Sequence, residues 1–307
     1  MTIPKTPQRN IPLPHAERAR SLMLLGFGGL LISAFLARGG REPFASGFVA
    51  LAAWSYLLLV DGWVYRHRGE SLIQSHPRRF LFLAVWSLVF KLFNEMANLR
   101  LGYWAHGVTP ASRGAAWILG AALLAAAVPV LLETADLIES AGVFKSVTVP
   151  PLHRAPSVFV VTGGLIFAVL ALGWPRLFSP LWWAVPLFLC DPLNERLAEP
   201  SLLSDARVGQ VRKIALVGLA GLLTGVLWEV TNVVAGPHWI YPTLDNPVRF
   251  LELPVAGYLL YPFMALSAYA SSVTAVALWD RSRPWVRILL AFAAAVGVVG
   301  ALARVWP

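Results

Sequence analysis

Two glutamates stand in stretches otherwise apolar enough to cross a bilayer. Glu229 lies in "GLLTGVLWEVTNVV" (221–234) and is followed three residues later by Asn232; Glu95 lies in "FNEMANLRLGYW" (93–104) and is followed three residues later by Asn98. That spacing puts each glutamate and its asparagine on one face of a helix. Carboxylates facing lipid are costly, so both faces are expected to turn inward or toward a wet cavity. There a protonated carboxyl can act as general acid, while an ionised one acts as base or stabilises positive charge. Glu252, at the return of "HWIYPTLDNPVRFLELP" (238–254), is expected to join them as a third carboxylate. Glu229, Glu252 and Glu95 are therefore the catalytic candidates. Asn98 and Asn232 are candidate donors to a polar substrate group. Trp104, Trp239 and Tyr241 are candidates to line an apolar ligand or to face a cationic intermediate with their rings. The simpler alternative is structural: Glu–Asn pairs bond across helices, and aromatics anchor the boundary with lipid headgroups.

A second polar cluster falls in "FLCDPLNERLAEPSLLSDARVGQ" (188–210), where Asp191, Asn194 and Glu195 end a hydrophobic run. Asp61 ends an earlier run in the same way, and Arg196, Arg207 and Arg212 are available as ion partners. This can be an inward polar site for a phosphate or a cation. Helix capping and a salt-bridged connection are the simpler reading.

Other chemistries lack their residues. The six histidines form no close HxxH or HExxH pair, and there is no GxxxxGK[ST] loop. No doubled aspartate-rich pattern marks a magnesium–diphosphate prenyltransferase. Cys190 is the only cysteine, which leaves no internal disulfide and no thiolate cluster. No metal and no cofactor are expected. Nor is nucleic acid, because the basic residues behind the +9 charge are dispersed over short connections. The expected partner is a membrane lipid or apolar small molecule; the sequence assigns no oligomeric state.

The elements that must position these residues are membrane helices. The 307 residues are 57% hydrophobic and only 13% charged, against roughly 25% charged in soluble domains. Several apolar runs reach the ~20 residues a transmembrane helix needs. Spans are expected near 20–37, 44–62, 79–97, 114–133, 156–173, 179–194, 212–234, 250–276 and 284–303. The expected fold is all-α, a polytopic integral membrane helical bundle of about nine transmembrane helices. Its first apolar run reads as a retained helix and not a cleaved signal. One side holds 17 of the 25 basic residues and the other holds seven, with Lys91 inside a span. The positive-inside rule then places the amino terminus in the cytoplasm and the carboxyl terminus outside.

The chain also reads as a tandem four-helix repeat. Asp61 is followed ten residues on by Ser71-Leu72, and Asp191 ten residues on by Ser201-Leu202; each pair precedes a basic connection and a long helix carrying Glu-x-x-Asn. The division is a cytoplasmic amino-terminal segment (1–19), a first four-span half (20–133), a cytoplasmic connection (134–155), a second half (156–276) and a final span with the terminus (277–307). Two four-span halves run the same way through the membrane, as a parallel repeat.

The pieces "DPLNERLAEPSL", "GLLTGVLWEVTNVV", "HWIYP" and "FLELPVAGYLLYPFMALSAYA" resemble a family of uncharacterised bacterial multispan membrane proteins, over about residues 188–270. More remotely, the paired halves and membrane carboxylates are similar to the small integral-membrane lycopene cyclases, which close polyene ends into rings by acid–base chemistry. The proline-x-glutamate-glutamate signature of those cyclases is replaced here by "ELP" at 252–254. The resemblance implies an enzyme of the bacterial plasma membrane that isomerises or cyclises an isoprenoid or another lipid. It makes Glu229, Glu252 and Glu95 the closest candidates for proton donor and cation-stabilising carboxylates. A proton- or cation-coupled transporter would instead need a polar route from these groups to Asp61, Asp191 and Glu133. A non-catalytic assembly or lipid-binding protein would need neither.

Overall fold

The computed structural model describes residues 13–107, 112–151, 156–234, 239–242 and 248–306. Lys5, Arg9 and Arg154, among the basic residues counted above, and His153 and His238, among the histidines, lie outside the described residues. The chain is an all-α bundle of long helices: α1 (Leu13–Arg38), α2 (Phe44–Arg68), the short α3 (Leu72–Ser75), α4 (Pro77–Leu101) and α5 (Arg113–Ser140). They are followed by α6 (Ser157–Gly173), the single turn α7 (Pro175–Phe178), α8 (Val185–Arg196), α9 (Leu202–Arg207), α10 (Arg212–Val234), α11 (Leu260–Arg281) and α12 (Pro284–Val305). Among the described residues, seven helical stretches are long and apolar enough to cross a membrane: α1, α2, α4, α5, α10, α12 and Val255–Arg281, which joins a 3-10 turn to α11.

Helix ends follow from local chemistry. Pro77 and Pro284 open α4 and α12, where the missing N–H costs nothing. Gly69 and Gly102 close α2 and α4 in the left-handed conformation, each donating its N–H back into the last turn. Several helices run past the expected limits. Helix α5 continues to Ser140, so the connection expected from residue 134 begins later. The stretch expected to open a span at 250 instead forms a short antiparallel pair, β3 (Arg249–Phe250) with β4 (Leu253–Pro254). Pro254, which offers no N–H, leads into a 3-10 turn, and regular helix starts only at Leu260.

Helices α4, α5, α10 and α11 surround the central core, where Phe90, Val128, Leu131, Leu216, Val217 and Ala265 pack. Gly221 and Gly225 let α10 approach α11 closely: a Cβ on Gly221 would meet Ala265 at 2.4 Å, and one on Gly225 would meet the Tyr261 ring at 2.3 Å. Small residues at this spacing are a common device for packing helices in lipid. The periphery is the reverse of a soluble surface. Phe35 on α1, Phe159 on α6 and Phe292 on α12 stand 78%, 67% and 68% exposed among other large apolar side chains. Such continuous apolar surface suits hydrocarbon and not water.

The two ends of the bundle differ. At one end Arg68 pairs with Asp136, Arg212 with Glu139, and Arg207 with Glu195, which also accepts from Ser157. At the other end Arg100 donates to the Gly173 carbonyl, and β1 (Ala105–His106) pairs antiparallel with β2 (Trp239–Ile240). The 17-residue α6 thus has its first residue bonded at one end and its last at the other.

Candidate functional site

The site gathers where α4 and α10 end. Both helices finish in a buried Glu-x-x-Asn face, and in both the asparagine turns the chain. Asn98 Nδ2 donates to the Trp104 carbonyl at 2.7 Å, while its Oδ1 accepts from the Tyr103 and Trp104 N–H groups at 2.8 and 3.2 Å. Asn232 Nδ2 donates to the Trp239 carbonyl at 2.9 Å and its Oδ1 accepts from the Trp239 N–H at 3.1 Å. These bonds satisfy backbone groups that burial would otherwise leave unpaired. They also commit the two amides expected to hold substrate to the turns themselves.

Each turn brings a tryptophan back onto its glutamate. Trp104 Nε1 donates to the two oxygens of Glu95 at 3.3 and 3.1 Å, and Trp239 Nε1 approaches Glu229 Oε1 at 3.4 Å. The surroundings then diverge. Glu95 Oε2 also meets His106 Nε2 at 3.2 Å. Glu229 Oε1 accepts from the Tyr241 hydroxyl at 2.5 Å and the Tyr261 hydroxyl at 2.6 Å. Those two separations fall in the range of charge-assisted O–H···O⁻ bonds. Its other oxygen, Oε2, is buried and has no partner among the described residues. Burial, followed by the Glu229 charge, pushes the Tyr241 hydroxyl well above its ordinary value, so it stays a proton donor. Burial alone pushes up Tyr103, whose hydroxyl has no partner among the described residues.

Between α4, α5, α10 and α11 lies a cavity of about 190 Å³ with a mainly apolar wall. An engineered apolar cavity of ~150 Å³ accommodates benzene, so this one has room for a ring or a bent chain segment but not for a whole lipid. Glu95, His106, Trp104 and Trp239 belong to its wall, together with Tyr241 and Tyr261. Glu229 sits behind the two tyrosines and reaches the cavity only through their hydroxyls. Glu252 is half-buried and within electrostatic reach of Glu229, but it is not part of the wall; its carbonyl accepts from Arg249. The three carboxylates thus share one end of the bundle, and only Glu95 faces the cavity directly. Lys91 and Trp228 line it as well, and with His106 and Tyr261 they are wall residues that the sequence had not marked as site residues. Sequence patterning offered a signal for one of them: Lys91 precedes Glu95 by four residues and so shares its helix face.

The second polar cluster is differently employed. Asp61 Oδ1 accepts from the Ile73 N–H at 2.8 Å and its Oδ2 from Gln74 at 3.3 Å, at the start of α3. Asp191 accepts from the Ser201 hydroxyl and from the Leu202 and Leu203 N–H groups at 2.7–2.9 Å, at the start of α9. Asn194 donates to the Ala270 carbonyl and accepts from Thr274, while Glu195 pairs with Arg207. Glu133 Oε1 accepts from the Leu72 N–H at 2.7 Å. Capping accounts for the cluster: carboxylates at helix N-termini satisfy free N–H groups and the helix dipole. No set of three or more ligating side chains among the described residues is grouped to hold a metal.

No family model, curated protein or solved structure matches the chain. The functional reading therefore rests on this geometry.

Proposed function

We propose that the protein is an intramembrane enzyme that isomerises or cyclises an isoprenoid or another lipid by acid–base chemistry. The observation that carries the reading is the apolar cavity whose polar wall combines Glu95 and His106 with two tyrosines bonded to Glu229. An unsaturated chain segment in the cavity would meet the Glu95–His106 pair as proton donor and acceptor. The ring faces of Trp104, Trp239 and Trp228 would stabilise positive charge formed on carbon. Glu229 would hold Tyr241 and Tyr261 as donors and accept the proton that either one passes inward. Asn98 and Asn232 serve as positioning residues for the two turns. Asp61 and Asp191, which an ion route would need, are engaged in capping α3 and α9, which favours the enzyme over a transporter.

The architecture belongs to the proposal. Helices α6 and α8, with bonded partners at opposite ends of the bundle, would complete nine crossings, with the amino terminus in the cytoplasm of a bacterial cell. The two halves pack alike: α1 on α2, α2 on α5 and α4 on α5 in the first, α6 on α8, α8 on α11 and α10 on α11 in the second. With the matching Asp-capped short helices and Glu-x-x-Asn turns, this supports a tandem repeat about an axis along the membrane normal.

Protein reconstituted in nanodiscs and incubated in D₂O with lycopene or with linoleate tests the chemistry. Proton addition and loss at carbon should leave deuterium in a non-exchangeable position of a rearranged product. Glu95→Gln and Glu229→Gln should abolish that product while the protein stays folded. An unchanged product profile in both variants would sink the assignment.

A further inference from the structure

Lys91 has no part in the chemistry above, yet among the described residues it is the one basic residue placed inside a long helix and on the cavity wall. It stands ten residues before the end of α4, about 15 Å from that end at 1.5 Å per residue. An ammonium at this depth is costly unless something compensates it. Its ammonium nitrogen lies 5.8 Å from the centre of the Trp228 ring, a contact that offsets part of the cost. Among the described residues, no carboxylate is within salt-bridge distance of it. Glu95 is only one turn away, but its oxygens are turned to Trp104 and His106. A second donor on the same wall also lacks an acceptor: the Tyr103 hydroxyl, in a side chain only 4% exposed. The wall therefore has donors to spare, while Glu95, the carboxylate that lines it, is already engaged by Trp104 and His106. What it lacks is an acceptor, preferably one carrying negative charge.

We infer that the cavity takes the head end of a lipid carboxylate, whose oxygens pair with the Lys91 ammonium, and that Tyr103 is the accompanying neutral donor. This rests on the cavity being a lipid site, as proposed above, and narrows which lipids it takes. A carboxylate fits better than a phosphate monoester at this depth. The desolvation cost of an ion grows steeply with its charge, and a single ammonium balances a single negative charge. An apolar tail matches the rest of the wall.

The experiment uses a matched pair of probes, dibromostearic acid and dibromostearyl alcohol, which differ only in the head. Bromine quenches indole fluorescence on contact, and Trp104, Trp183, Trp228 and Trp239 all border the cavity. In nanodiscs the wild type should show saturable quenching by the acid at a concentration at least about tenfold below that of the alcohol, a difference of roughly 1.4 kcal/mol. Lys91→Met should lose the preference and keep the wild-type response to the alcohol, which also reports that it is folded. Lys91→Arg should retain most of the preference, and Lys91→Gln provides a second neutral variant. Equal quenching by acid and alcohol in the wild type, or an undiminished preference for the acid in both neutral variants, would overturn the carboxylate inference and leave the lipid cavity standing. Saturable quenching by neither probe would instead overturn the cavity reading itself.

Discussion

At the scale of single residues, the two Glu-x-x-Asn faces divide their labour. The asparagines shape the backbone and the glutamates collect donors. Replacing Asn232 by Ala would leave the Trp239 N–H and carbonyl without their partner in a fully buried setting. Each such loss costs about 1–3 kcal/mol, so thermal unfolding in detergent should show a clear drop for Asn232→Ala and a similar one for Asn98→Ala. If either variant melted with the wild type, the asparagine would not be holding its turn. The residue scale also carries a pH effect outside the membrane. Asp205 in α9 is pushed above the ordinary carboxylate range, first by burial and then by the charge of Asp191. A folded value above the unfolded one means the fold binds that proton more tightly. The stabilisation is complete below the ordinary carboxylate value and disappears as pH rises through the raised one. Asp205→Asn should therefore flatten the dependence of melting temperature on pH across that window. A wild-type slope retained in the variant would assign the dependence to another group.

At the scale of elements, the site depends on how closely α10 meets α11. Gly225 faces the Tyr261 ring and leaves no room for a Cβ. Gly225→Ala would push the ring away and break the 2.6 Å bond from Tyr261 to Glu229. Overpacking of this kind costs about 1–3 kcal/mol, and turnover should fall with it because one of the tyrosines bonded to Glu229 is displaced. Gly218 is the control: its nearest neighbour would be Pro262 Cβ at 3.8 Å, so Gly218→Ala should be close to neutral. Comparable melting temperatures for the two variants would refute this account of the packing. Helices α3 and α9 show how an element can hide its purpose in sequence. Each is a short helix whose N-terminal N–H groups land on an aspartate ten or more residues earlier. The Asp and Ser spacing was visible in the chain; that the aspartates cap helices, and do not await a ligand, needed the fold.

At the scale of the whole molecule, the path of 157–196 sets the number of crossings. Helix α6 and the 179–196 segment are shorter than the seven long spans, but their bonded ends lie at opposite poles of the bundle. In a Cys190→Ser background, single cysteines at Arg41, Glu70 and Arg176 would separate the topologies. Nine crossings should let a membrane-impermeant maleimide label Arg176→Cys from the same side as Arg41→Cys and from the side opposite Glu70→Cys. Labelling of Arg176→Cys together with Glu70→Cys would mean that 157–196 does not cross.

Sequence by itself determined the helical membrane class and the seven long apolar spans, the faces carrying Glu95 with Asn98 and Glu229 with Asn232, and the paired Asp–Ser spacings. All of these are periodic or local, and periodicity reports directly on which side of a helix a residue occupies. Only the tertiary structure decided that Glu95 faces the cavity while Glu229 stands behind Tyr241 and Tyr261, and that Glu252 lies off the wall. It also brought Lys91, His106 and Tyr261 into one enclosure, from a helix, a strand and a second helix far apart in the chain. Helical pattern says which way a side chain points. It cannot say which other helix closes over it, because in lipid that choice is made by close packing at small residues such as Gly221 and Gly225, not by hydrophobicity, which every helix here shares.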